Sequence, residues 1–335
     1  MTDVVVARPV LEGAREQAGG DAFGAFVRTG ATVEMKAFTG VTGDSGGFAV
    51  PREIDAAIDA LLKGISPIRQ IANVVRVGTA GYRKLVTTGG TPSGWASETG
   101  PRPETATPVF QEVAPPMGEL YANPSASQAM LDDAAFDVEE WLAGEIAQEF
   151  ARAEGAAFVG GSGVNRPKGF LTYPTSANGD SARAFGTVQH LATGSATDLG
   201  TGVPERLLDL VHALRSPYRQ GACFVMNAAT VARIRKLKTG DGAFLWQPSM
   251  VAGQPATLLG YPVVEAEDMP DVAANTLPIA FGNFRAAYLV AERAETAILR
   301  DPYTNKPFVG FYATKRVGGA LVNSEAVKLV KVATA

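Results

Sequence analysis

AFVGGSGVNRPKGFL, residues 157–171, holds four glycines, a serine and a lysine, and its reading decides what kind of fold surrounds it. A phosphate-cradling loop runs strand, glycines, helix, with the pattern GxxxxGK[ST], so that the phosphate meets the positive end of the helix. Here the order is reversed. Gly160, Gly161 and Gly163 follow the longest helical pattern in the chain, where a phosphate would face the negative end of the dipole. Lys168 is followed by Gly169 rather than Ser or Thr, and GxGxxG is absent. The stretch is a helix stop: the glycines predict a left-handed cap, and Pro167 fixes the loop that follows.

Upstream, the pattern predicts a helix over 133–159. Asp132 or Asp133 caps it, and Asp137, Glu139 and Glu140 suit its positive end. Val138, Leu142, Ile146 and Phe150 recur every four residues, with Ala153 and Ala157 continuing the stripe. At a rise of ~1.5 Å per residue it forms a spine of about 40 Å. Before it, strand-like pieces at Val74–Val77, Tyr82–Thr88 and Val109–Val113 flank a middle rich in Gly, Pro and Thr. An isolated two-stranded hairpin is marginal in water. Either the body of this chain or a neighbouring copy covers it, or it is a plain surface loop. Residues 1–50 are rich in small residues and turn formers and predict an arm or flexible leader. A helix follows, with Pro51 in its first turn and Ile54, Ile58, Leu61 and Leu62 at helical spacing before Gly64.

Downstream, residues 173–202 are rich in Ser, Thr, Gly, Asn and Asp and read as a boundary or exposed connection. A helix is predicted over 204–214, with Leu207, Leu208, Val211 and Leu214 on one face. CFVMN reads as a short buried strand, and Asn227 caps AATVARIRKLK. The basic cluster Arg233, Arg235, Lys236 and Lys238 either complements that helix's dipole or touches nucleic acid. The remainder is rich in strands; in KPFVGFYATKR, Val309, Phe311 and Ala313 alternate with Gly310, Tyr312 and Thr314. Strands and helices mix without regular βαβ spacing, so the class is α+β.

Composition narrows the function. The chain has 335 residues, 46% hydrophobic and 19% charged, which allows a real core and two domains of ordinary size. A net charge of −4 argues against a protein that coats nucleic acid. The single cysteine, Cys223, excludes an internal disulfide and a thiolate-rich zinc site. Two histidines, His190 and His212, leave little for a metal site other than a carboxylate-rich one; no metal and no cofactor is expected. The apolar run Val4–Val6 is too short for a signal peptide, and no window approaches the roughly 18 apolar residues of a membrane span, so a soluble, cytosolic product is expected. No GxSxG, HExxH, CxxC, EF-hand or Walker pattern is present. What remains is a mixed body with a spine helix, a projecting hairpin and an N-terminal arm. Limbs without a core of their own point to self-assembly. Two rivals stay open: a hydrolase with a non-local Ser-His-Asp site on His190 or His212, and a monomeric binding module clamping a ligand with the hairpin.

The order of motifs resembles the major capsid proteins of tailed phages, of the Hong Kong 97 type. The likeness runs from about Met35 to the end, through TGDSGGFAVP, ISPIRQIANVV, GWASETGPRPETATPVF, the spine with its NRPKGFL loop, VMNAAT, LLGYPVVEAEDMP, FGNFRAAYLV and FYATKRVGGALVNSEAVKLVK. It is similar above all to capsid proteins of alphaproteobacterial phages and of gene transfer agents. The resemblance implies a subunit that is not an enzyme and that assembles through pentamers and hexamers into a shell around double-stranded DNA, in the bacterial host cytoplasm. A portal, a scaffold or a maturation protease are its implied partners; a membrane is not. It implies an N-terminal arm and leader over 1–73 and an extended E-loop hairpin over 74–113, lying on an adjacent subunit. It further implies a peripheral P-domain of 114–180 with 289–319, and an axial A-domain of 181–288 with 320–335. Only residues 1–34 precede MKAFTG, so the scaffold is separate or the chain is shortened, and any processing falls near Met35–Phe38. Candidate intersubunit contacts are Arg83, Lys84, Trp95, Glu98, Arg102 and Glu104. Trp95 is either an interface anchor or packs locally within the hairpin. Some relatives crosslink their shells through a Lys–Asn isopeptide bond assisted by a Glu. Lys84 is a hairpin lysine, but PFVGFYATKR offers neither Asn nor Glu and Asn305 lies outside it, so no crosslink is expected.

Overall fold

A computed structural model describes residues 66–78, 81–89, 93–100, 102, 104–133, 138–200, 202–237, 246, 257–293 and 297–334. The expected leader, the helix after Pro51, the region Met35–Phe38 and Lys238 lie outside the described residues. In chain order, the first half runs α1 (Pro67–Ile71), β1 (Asn73–Val77), β2 (Lys84–Thr88), β3 (Val109–Val113), β4 (Met117–Ala122), β5 (Ser125–Ser127), α2 (Gln128–Asp133) and α3 (Val138–Gly160). Then come β6 (Thr175–Ser176), β7 (Val188–Ala192), α4 (Val203–Ala213), α5 (Ser216–Arg219), β8 (Cys223–Met226) and α6 (Ala228–Arg235). The last third holds β9 (Thr257–Leu258), β10 (Tyr261–Glu265), β11 (Ile279–Gly282), α7 (Phe284–Ala287), β12 (Tyr288–Arg293), β13 (Ala297–Asp301), β14 (Phe308–Leu321) and β15 (Val327–Lys331).

The chain divides into two compact units. In the smaller, residues 120–150 and 297–315, β13 pairs antiparallel with β14 from Ala297↔Thr314 to Asp301↔Gly310, and β5 pairs with its start, Phe308↔Ser127 to Gly310↔Ser125. Alternation along β14 sends Val309 and Phe311 inward, where Ala126, Leu131 and Leu142 pack on them. The inward and outward sets are those that period-two spacing predicts.

The larger unit holds 66–119, 151–293 and 316–334. β1 runs parallel to β12, and β12 pairs antiparallel with the end of β14. A seven-stranded mixed sheet has the order β6-β7-β15-β11-β8-β10-β9. Every residue of β8 and β11 is buried. Leu207, Leu210 and Val211 from α4 and Leu214 just after it, with Val231 and Ile234 from α6, cover Phe224, Met226, Phe281 and Val330. The stripe on α4 takes Leu210, not the expected Leu208, which is exposed. Steps of three and four from Leu207 keep one face; Leu208 lies about 100° round from it.

The spine is α3, with residues 134–137 outside the described set. Val138, Ile146 and Phe150 are buried as expected, but beyond Phe150 burial passes to Ala151, Glu154, Phe158 and Val159 rather than to Ala153 and Ala157. A strict four-residue step overshoots a turn by about 40°, so the buried face drifts back by a residue. The spine's glycine stop also differs in mechanism from the left-handed cap expected. Gly161 donates to the Ala157 carbonyl at 2.9 Å, and the left-handed residues are Gly163 and Asn165, further out in the loop. Gly161 itself is required by close approach: a Cβ there would collide with the carbonyl oxygens of Ala157 and Pro167. The loop returns through a Ser162–Lys168 bridge, and the buried Tyr288 hydroxyl donates to the Lys168 carbonyl at 2.9 Å. Lys168 Nζ stands 4.1 Å over the Tyr173 ring, which accounts for its charge without a phosphate.

Candidate self-assembly surface

The two strands of the hairpin pair antiparallel, Lys84↔Val113 through Thr88↔Val109. Directly opposed residues share a face. One face carries Leu85, Thr87, Phe110 and Glu112; the other carries Lys84, Val86, Val109, Gln111 and Val113. Apolar side chains therefore stand on both sides of a ribbon one layer thick. Leu85 is 68% exposed, and Val109 and Phe110 are each 65% exposed. Trp95, in the connection between the strands, is wholly exposed. Covering a side chain of this size stabilises by about 1.5–3 kcal/mol, and contiguous exposed apolar surface marks an interaction site.

Both roots of the ribbon are held within the larger unit. β1 enters from its parallel pairing with β12, and β4 leaves past the buried Pro115 and Gly118. A Cβ on Gly118 would stand 2.5 Å from the Asn165 carbonyl oxygen and 2.6 Å from the Arg166 Cα, so the glycine loop and the exit root fit only without a side chain there. Nearby, Arg316 Nε donates to Glu119 Oε2 at 2.9 Å.

The six residues singled out from the sequence all lie on this ribbon. Arg83 pairs with Glu112 across the hairpin, Nη1 to Oε1 at 3.1 Å. Lys84 is half-buried in β2. Trp95, Glu98, Arg102 and Glu104 are exposed in the connection, where Gly100 N–H donates to the Ser97 carbonyl at 3.2 Å. Trp95 is fully exposed in the single chain. Sequence reasoning missed Leu85, Phe110 and Glu112; the adjacent apolar pair Leu85–Val86 was the signal, since neighbours on a strand face opposite sides.

Several polar groups elsewhere are tied into the fold. His190 is buried in β7, where burial and then Lys331 hold its pKa below the usual range; His212 is exposed on α4. Arg233 pairs with Asp198 at 3.3 Å, and Arg235 lies 4.9 Å from the Trp246 ring. The connection 173–202 is less exposed than its composition predicts. It contains β7 and a buried knot in which Asp180 accepts from Arg183 and Lys328, with Arg215 at 3.3 Å. Burial pushes Asp180 up, but the bonds from Arg183 and Lys328 outweigh it and hold the carboxyl low. Burial pushes the Cys223 thiol up to about 12. Among the described residues no group of three or more His, Cys, Asp or Glu could hold a metal, and no helix is long and apolar enough to cross a membrane.

The profile of the Phage capsid family matches residues 46–332. No curated protein matches the chain. Among solved structures, the capsid of a native GTA (gene transfer agent) particle, computed with C5 symmetry, is 46% identical, with a TM-score of 0.74 over 90% of this chain and 99% of that one. The capsid of the empty GTA particle is 44% identical, with a TM-score of 0.72 over 90% and 98%. The structure from Microbacterium phage Oxtober96 is 12% identical, with a TM-score of 0.57 over 90% and 98%, a likeness of fold alone.

Proposed function

Because the chain belongs to the phage capsid family and is a major capsid protein of the kind that builds phage and gene transfer agent shells, we propose that its hairpin is the limb through which copies join into pentamers and hexamers. Its mixed helix-and-sheet fold is of the Hong Kong 97 type. The work is mechanical: capsomers close into a shell around double-stranded DNA, and strength comes from repetition of one contact. The single observation that carries the reading is the ribbon with exposed apolar side chains on both faces. Such a surface has its second layer supplied by a neighbour.

Within that reading, Trp95 is the anchor that a neighbour buries, and Lys84, Glu98, Arg102 and Glu104 pair across subunits. Arg83 serves a different end, since Glu112 of its own ribbon already holds it. Residues 74–113 act as the E-loop, 114–180 with 289–319 as the P-domain, and 181–288 with 320–335 as the A-domain, following an N-terminal arm over 1–73. Portal, scaffold and maturation protease are the proposed partners in the host cytoplasm, and the shell's work needs no catalysis. A net charge of −4 suits a container that does not grip its DNA. The shell is held without covalent links, so particles boiled in denaturant run as a single band of subunit size; a ladder would overturn this.

Electron microscopy and sedimentation of the purified chain test the reading. The expected products are rings or shells, and single subunits near 34.9 kDa for the double variant Trp95→Ala, Phe110→Ala. A wild-type chain that stays single at high concentration, with its hairpin amides protected from exchange, would refute it.

A further inference from the structure

The entry root of the hairpin carries charges that packing alone does not require. Arg69, on α1, donates from Nη1 to Glu154 of α3 at 3.1 Å and from Nη2 to Glu292 of β12. The side chains of Arg69, Glu154 and Glu292 are 1%, 0% and 6% exposed. Arg76, opposite Glu292 in the parallel β1–β12 register, donates from Nε to Glu292 at 3.4 Å. Glu292 is thus gripped from both ends of the segment 66–77, which leads directly into the hairpin. The same arginine ties that segment to the spine.

Three charges removed from water are a poor source of stability. Replacing a buried ion cluster by apolar residues of similar volume is commonly neutral or stabilising. A forked guanidinium does something an apolar contact cannot: it fixes direction, because each nitrogen must point at its own carboxylate. Leu or Met at these positions would hold α1 against α3 and β12 equally firmly but with a looser angle.

We propose that the Arg69–Glu154–Glu292 joint is a positioning device that sets the angle at which the hairpin leaves the rest of its unit, and through it the curvature at which copies meet. The second half of this inference rests on the shell reading; the first half does not. The test is the triple variant Arg69→Met, Glu154→Leu, Glu292→Leu, read in two ways. In unassembled subunits, spin labels on Ser97→Cys and Asn178→Cys report the hairpin's distance from the body of its unit; the native Cys223 is buried, with its thiol pushed up to about 12, and stays unlabelled. The distance distribution broadens in the variant while its urea midpoint holds or rises. In assembly, the yield of closed shells of wild-type diameter falls by about tenfold, a bias of ~1.4 kcal/mol, in favour of irregular particles. An unchanged distance distribution would overturn the proposal, as would shells of wild-type size and yield. Failure of the variant to fold would overturn it equally, since the charges would then hold the fold rather than an angle. A wild-type chain that forms no shells, yet shows the broadening in the variant, counts against the shell reading and leaves the joint standing.

Discussion

The hairpin β2–β3 and the seven-stranded sheet draw on the same residue types and differ in what lies over their faces. β8 reads CFVM and β11 reads IAFG, and every one of those residues is buried, with Phe224, Met226, Ile279 and Phe281 in a core built by the same chain. β2 reads KLVTT and β3 reads VFQEV, and Leu85, Val109 and Phe110 stand largely in solvent. Apolar burial that a subunit completes alone appears as its own folding stability. Burial that waits for a neighbour appears as association. One chemistry thus serves two equilibria, and substitutions can separate them.

The largest expected effect is on the satisfied side. Phe281 is fully buried, 4.5 Å from the Phe224 ring centroid and 5.0 Å from that of Tyr261. Phe281→Ala should cost about 3–5 kcal/mol of subunit stability in urea titration. Phe110→Ala removes the same atoms from the ribbon and should leave the subunit's urea midpoint within ~0.5 kcal/mol, while weakening association by about 2 kcal/mol or more per contact, read by sedimentation. Equal losses of subunit stability in the two variants would erase the distinction.

Next in size is the exit root. Gly118→Ala places a methyl against Asn165 and Arg166, an overpacking worth about 1–3 kcal/mol. Because the clash lies where the ribbon meets the body, stability and association should fall together. A milder effect comes from pH. Burial holds the pKa of His190 below its unfolded value, so the folded state binds fewer protons. The stability this represents is present above about pH 6.5 and is lost as pH falls through the folded value. Denaturant midpoints should decline over that window in the wild type and less in His190→Gln. Asp180, also depressed, contributes a second loss below the ordinary carboxylate range.

Local patterns made the ribbon and the spine legible. The three strand pieces and the helix stop follow from alternation, periodicity and glycine placement, and Asn227 accepts from the Thr230 amide as its position predicts. Faces were harder: Leu208 and Leu210 are interchangeable in composition, and 3.6-residue geometry decides between them. Least legible were the buried charges. Asp180 and Lys328 are 148 positions apart, and Arg69 and Glu292 are 223 apart. Nothing in the polar tract 173–202 signals that Asp180 and Arg183 turn inward, because Lys328, which joins their pair, lies on β15, far along the chain. Local chemistry specifies elements, and partners that meet only on folding specify which polar residues they bury.

The smallest expected effect returns to the ribbon. Arg83 and Glu112 form an ion pair with both side chains substantially exposed, 65% and 43%. Pairs of this kind contribute about 0.2–1 kcal/mol, less at high salt, because water solvates both charges nearly as well when they part. Arg83→Ala should therefore hardly move the subunit's urea midpoint. If the pair instead straightens the ribbon that a neighbour covers, its effect will show in association and will fade as salt is raised. A salt-independent loss of association would mean that Arg83 contributes through its aliphatic stem, packed beneath the neighbouring copy, rather than through its charge.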